Sequence, residues 1–120
     1  MTPADRATHN RLNGLNAETR VAENYQRCGF KLVQRRFRGR GGEIDLIFKH
    51  NDKFYFTEVK RGASHDIAHG YLNAAQFSRM ADAILEYLQK EELPLETEMR
   101  IDAALVDAQH RVKVIPNILQ

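Results

Sequence analysis

The chain has 120 residues, enough for one compact domain and too few for two ordinary ones. At 42% hydrophobic and 28% charged it is neither a disordered chain nor a fibrous repeat, and 18 Lys/Arg against 16 Asp/Glu leave a net charge of only +2. That balance hides an asymmetry: residues 1–60 hold 12 basic and 7 acidic side chains, whereas residues 61–120 hold 6 and 9. One cysteine, Cys28, excludes an intrachain disulfide framework and a multi-cysteine zinc site, and fits a reducing compartment. No apolar run approaches the roughly 18–20 residues of a membrane span, and the polar start lacks the apolar core of a signal peptide. The expected location is the cytoplasm, with no membrane partner.

Residues 1–13 lack periodicity and are expected to form a flexible tail before a single domain over 14–120. Ala17, Val21, Tyr25 and Cys28 recur at helical spacing between an N-cap at Asn16 and a C-terminal Gly29, which predicts a helix over about 17–28 with Cys28 as a small core residue. Phe30-Lys31-Leu32-Val33 then begins an extended segment that runs into a basic stretch. Lys31, Arg35, Arg36, Arg38 and Arg40 read either as a strip that tracks phosphates or as a solvated strand. Without base-stacking aromatics or a base-reading helix, the first reading means backbone-directed recognition. Arg38-Gly39-Arg40-Gly41-Gly42 lacks the Gly-Lys-Ser/Thr ending of a P-loop and reads as a turn that lets backbone approach closely.

Strands are predicted at Glu43–Phe48 and Phe54–Lys60, joined by a tight turn at Asn51-Asp52. Gly62 to Gly70 is expected as a loop. Within it, His65 and His69 imitate the spacing of a zinc-protease helix, but Asp66 stands where that motif has Glu and no third ligand follows. A second helix carries the stripe Leu72, Ala75, Met80, Ala83, Ile84 and Leu88. An acidic connector around Pro94 leads to strands at about 100–106 and 112–115, with Asp102 expected as a structural hydrogen-bonding group. The order αβββαββ predicts an α/β protein with a mixed β-sheet flanked by helices.

Both faces of the second hairpin strand are largely apolar, so Glu58 and Lys60 at its end need a reason to be there. With Asn51-Asp52 as a two-residue turn, Asp45 falls opposite Glu58 and Glu43 opposite Lys60. Two carboxylates facing each other in a partly dry site repel by several kcal/mol at an effective dielectric of about 20. A divalent cation between them reverses the sign, and oxygen ligands favour magnesium or manganese over zinc. The alternative is a surface ion-pair ladder in which Lys60 neutralises both acids. A one-residue slip in register removes Asp45 from this face and the argument with it.

Asp45, twelve residues, then Glu58-Val59-Lys60 is also the spacing of the PD-(D/E)XK nuclease signature. With Gly14-Leu15-Asn16-Ala17-Glu18, Gly29-Phe30, Arg36-Phe37-Arg38, Gly42-Glu43-Ile44-Asp45-Leu46-Ile47, Glu58-Val59-Lys60-Arg61, Gln76, Arg79 and Arg100-Ile101-Asp102, the chain resembles the YraN-like family of small predicted endonucleases. Ile44 stands where the eponymous motif has proline. The resemblance implies a restriction-endonuclease-like core, shared with archaeal Holliday-junction resolvases, and Mg- or Mn-dependent hydrolysis of phosphodiester bonds in DNA, branched or structured DNA included. On these residues it implies Asp45, Glu58 and the Val59 carbonyl as metal ligands. It makes Lys60 the group that orients or deprotonates the attacking water, with Glu18 reaching in from the first helix. Gln76 and Arg79, and Arg61 beside the signature, join Arg35, Arg36, Arg38 and Arg40 as nucleic-acid contacts. A non-catalytic nucleic-acid-binding module that keeps the fold is the alternative. A homodimer would suit an enzyme acting on two strands.

Overall fold

The computed structural model describes residues 16–118, so the expected tail over 1–13 lies outside it. The first helix, α1, covers 16–27 and is followed by β1 (Lys31–Arg38), β2 (Glu43–His50), β3 (Lys53–Arg61), α2 (His65–Gly70), α3 (Ala74–Lys90), β4 (Met99–Val106) and β5 (Val112–Ile115). The strands form one mixed sheet in sequence order, antiparallel except where β3 and β4 run parallel. Parallel neighbours need a long crossover, and α2 with α3 supplies it. The fold is compatible with a restriction-endonuclease-like core. No helix among the described residues is long and apolar enough to cross a membrane.

Each sheet face is covered by one main helix. Ala17, Val21, Ala22 and Tyr25 of α1 pack on Leu46, Phe48, Tyr55, Ala104 and Val106. On the opposite face Met80, Ala83, Ile84, Tyr87 and Leu88 of α3 pack on Phe37, Ile44, Ile47, Phe54 and Phe56. The two-sided burial of β2 and β3 explains why their sequences read as nearly continuous apolar runs.

Four local features position the site. Asn51 and Asp52 both adopt positive φ, +49° and +64°, which closes the β2–β3 hairpin as a two-residue turn. That turn sets the register His50 opposite Lys53 and carries it to Leu46 opposite Thr57. Helix α1 ends in a Schellman motif: Gly29, at φ +89°, donates to the Gln26 carbonyl, and Phe30 donates to the Tyr25 carbonyl at 3.1 Å. The Phe30 ring meets the Tyr25 ring edge-on at 5.3 Å, the apolar contact that accompanies this cap. Beneath the α1 face, buried Asp102 accepts from the Tyr25 hydroxyl at 2.7 Å and from Arg100 Nε and Nη2 at 2.7 and 2.8 Å, the structural role expected of it. Thr57 donates in turn to the Tyr25 oxygen.

Three expectations change. The Schellman turn carries Cys28 off the apolar stripe, so it is exposed rather than in the core. The stretch expected as a loop contains α2, capped by the Ser64 hydroxyl, which accepts the Ile67 N–H at 3.1 Å; the order is therefore αβββααββ. Leu72 lies before α3, whose N-cap is Asn73, and does not belong to its stripe.

Candidate active site

The β2–β3 ladder stops at Leu46–Thr57, one residue short of the expected Asp45–Glu58 pair. Beyond it the strands part, and the Asp45 carboxylate accepts the Val59 backbone N–H at 2.8 Å. A kink lies alongside: Arg36 of β1 sits at φ +52°, and β2 presents Ile44 and Ile47, three residues apart, to the same α3 face. Strict alternation cannot do this, so β2 changes phase at Asp45. The expected Glu43–Lys60 pairing is absent; Glu43 pairs instead with Arg38 on β1 at 3.3 Å.

The notch between the parted strands is a cavity of about 250 Å³ lined by Glu18, Glu43, Asp45, Glu58, Val59, Lys60, Arg61 and Gln76. Helix α1 brings Glu18 from one face, and the first turn of α3 brings Gln76 from the other. Gln76 Nε2 donates to Glu58 Oε1 at 2.8 Å, and Lys60 Nζ lies 3.1 Å from the same oxygen. Glu18 accepts from Arg36 Nε at 3.2 Å. The proposed catalytic and metal residues thus converge, and Lys60 neutralises Glu58 rather than both hairpin acids.

The electrostatics are those of an acid-rich pocket short of positive charge. Burial, and then the Glu58 charge, push the Asp45 carboxyl up to about 7, against the pull of the Val59 N–H. Burial also raises Glu58, with the Lys60 charge opposing it. Glu18 is raised by burial and, more weakly, by the charge of Asp45, against the Arg36 hydrogen bond. Asp45 takes the Val59 N–H on Oδ2, both cationic or amide donors to Glu58 fall on Oε1, and the two carboxyls lie within hydrogen-bonding reach of each other. Among the described residues no three His, Cys, Asp or Glu side chains are grouped so that they could hold a metal ion between them. The donor set, two carboxylates and a backbone carbonyl with room for water, suits the open coordination of magnesium.

The expected nucleic-acid contacts divide. Arg61 lines the notch, while Arg38, Arg40 and Arg79 line an adjoining cavity of about 430 Å³ that shares Glu43, Glu58 and Gln76 with it. Arg35 reaches Thr19 Oγ1 on α1 at 3.3 Å, and Arg36 is committed to Glu18, so these two also fasten β1 to α1. Sequence reasoning missed Glu86. Its carboxylate accepts the backbone N–H groups of Arg40 and Gly41 and ties the glycine-rich turn to α3. The run of glycines in that turn is the signal that could have pointed to a close helix.

Residues 17–106 match the family described as Uncharacterised protein family UPF0102. The chain is 43% identical to a UPF0102 protein of Ruegeria pomeroyi over 95% of its own length and 93% of that protein. It is 39% identical to one of Dinoroseobacter shibae over 94% and 84% of the two chains, and 42% identical to one of Cereibacter sphaeroides over 87% and 89%. The chain belongs to the UPF0102 family.

Proposed function

We propose that this protein is a PD-(D/E)XK-type endonuclease that hydrolyses phosphodiester bonds of DNA, branched or structured DNA included, in the cytoplasm. The observation that carries the reading is the parting of β2 and β3 at Asp45. It opens a notch where two hairpin acids, a lysine and a free strand edge meet, flanked by arginines. A purely structural ion-pair ladder would gain nothing from an open strand end or from carboxyls held high by burial.

Asp45, Glu58 and the Val59 carbonyl are the groups that would hold a magnesium or manganese ion. Once bound, that ion supplies Lewis-acid polarisation of a phosphoryl oxygen and an activated water. The chain's own groups do the rest. Lys60, whose ammonium lies 3.1 Å from Glu58, would offset the negative charge that grows on the phosphate and orient the attacking water. Gln76 fixes the Glu58 carboxylate from α3, and the Val59 N–H fixes that of Asp45. Glu18, steadied by Arg36, stands on the far side of the notch as a second acceptor for water.

The testing experiment incubates purified protein with linear, plasmid, flap and four-way-junction DNA, with and without manganese. Cleavage of at least one substrate that requires the ion is the expected result. Salt-dependent DNA binding that is indifferent to divalent ions, with no cutting, would establish the non-catalytic binding module instead. A homodimer forms part of this proposal, since it would bring two notches to two strands.

A further inference from the structure

The cavity beside the notch does not end at the arginine turn. Past Arg38, Gly39 and Arg40 a further groove of about 840 Å³ continues along α3 to Gln89 and Lys90. Three adjoining spaces thus run in one direction from the notch, and each shares lining residues with the next.

The turn between them is built to lie where it does. A Cβ on Gly39 would strike Glu86, one on Gly41 would strike Asp82, and one on Gly42 would strike the Arg79 backbone carbonyl. Only a turn without side chains at these places can press against α3 and still carry Arg38 and Arg40 along the groove. Glu86 and Asp82 bring the opposite charge, but Glu86 is turned to the backbone, where Arg40 and Gly41 N–H groups occupy it. Arg40, Arg79 and Lys90 are exposed and form no ion pair among the described residues. Lys90, at the C-terminus of α3, complements the helix dipole and lies over the Phe37 ring at 5.7 Å. Neither contact uses up its charge.

We infer that the groove from Gln76 to Lys90 is a strand track, in which Arg79, Arg40 and Lys90 grip the DNA backbone on one flank of the notch. The 14 residue steps from Gln76 to Lys90 span about 21 Å of helix, or about six nucleotides of a B-form strand. The inference rests on the proposed nuclease reading for the direction of the strand, and it adds Lys90 as the far anchor and Glu86 as the residue that positions the turn.

Anisotropy of a labelled 20-nucleotide DNA duplex, titrated in EDTA from 50 to 200 mM salt, tests it. Each lost phosphate contact lowers the slope of log affinity against log salt by about 0.9. Arg40→Ala/Lys90→Ala should therefore lower the slope by about two and weaken binding at least tenfold at the low end. Arg40→Gln/Lys90→Gln, which keeps the stem over Phe37, should lose as much. Lys49→Ala/Lys53→Ala, at the other end of the hairpin, should match wild type. Equal slopes for wild type and the Arg40/Lys90 pair, an equal loss in the Lys49/Lys53 pair, or no binding by wild type would each overturn the track. The nuclease reading fails separately: a wild type that shows the slope but cuts no DNA in magnesium keeps the track and loses the enzyme.

Discussion

The backbone N–H of Val59 donates to the carboxylate of Asp45 at 2.8 Å, at the place where the β2–β3 ladder has just ended. In a continued ladder that donor would be met by the backbone of the facing strand. Here a side chain meets it, so the sheet opens without leaving the donor unsatisfied. One aspartate thereby closes the hydrogen-bond account of the sheet and lines the notch.

The position of Asp45 has a measurable cost. Its carboxyl is raised from an ordinary 3.8 to about 7 by burial and by Glu58. A raised folded-state value means that this group's contribution to stability is fully present below pH 4 and is lost as pH climbs through 7. Asp45→Asn removes the charge and keeps an acceptor for Val59. Urea unfolding should find the variant about 1–2 kcal/mol more stable than wild type at pH 8, after allowance for partial exposure, with the gap closing towards pH 4.

Magnesium should relieve the same repulsion. On the proposed reading the ion would bind the folded notch and not the unfolded chain, so at pH 8 saturating magnesium should raise the melting temperature of wild type by about 5 °C. Asp45→Asn and Glu58→Gln should show less than half of that shift. A wild-type melting curve indifferent to magnesium and manganese would remove the cation from the account.

Tyr25→Phe should cost about 1–3 kcal/mol in urea unfolding, because buried Asp102 loses a donor and the Thr57 hydroxyl loses its acceptor. The network lies beneath the α1 face and outside the notch lining. Specific activity per folded molecule should therefore stay within about twofold of wild type, by comparison with the tenfold that 1.4 kcal/mol at the site would cause.

Gly42→Ala should destabilise by about 1–3 kcal/mol, since its Cβ meets the backbone carbonyl of Arg79, which cannot swing aside as a side chain could. Amide hydrogen exchange should rise over 39–42 as the turn lifts off α3. An alanine variant as stable and as protected as wild type would contradict the close approach.

Much of this was legible in the sequence because it rests on short-range rules. Asn51-Asp52 announces a two-residue turn, and that turn alone sets the register that brings Asp45 towards Glu58. Gly29 announces the end of α1, yet it also diverts Cys28 to the surface, which spacing cannot reveal because the stripe continues on paper through a residue the helix has already released. The helix at His65–Gly70 was hidden by its flanking glycines, although Ser64 carried the cap signal. The parting of β2 and β3 and the tie from Glu86 to Arg40 depend on contacts 14 and 46 residues apart in the chain, beyond the reach of local patterns.

The most direct measurement is nicking of supercoiled plasmid by wild type, Asp45→Asn and Lys60→Ala, purified side by side and assayed in magnesium, manganese and EDTA. Wild type should nick only with a divalent ion. Both variants, folded by circular dichroism, should fall at least 100-fold, the loss expected when about 2.7 kcal/mol of transition-state stabilisation is removed. Equal nicking by wild type and Asp45→Asn, or nicking in EDTA, would contradict a metal-dependent nuclease at this notch.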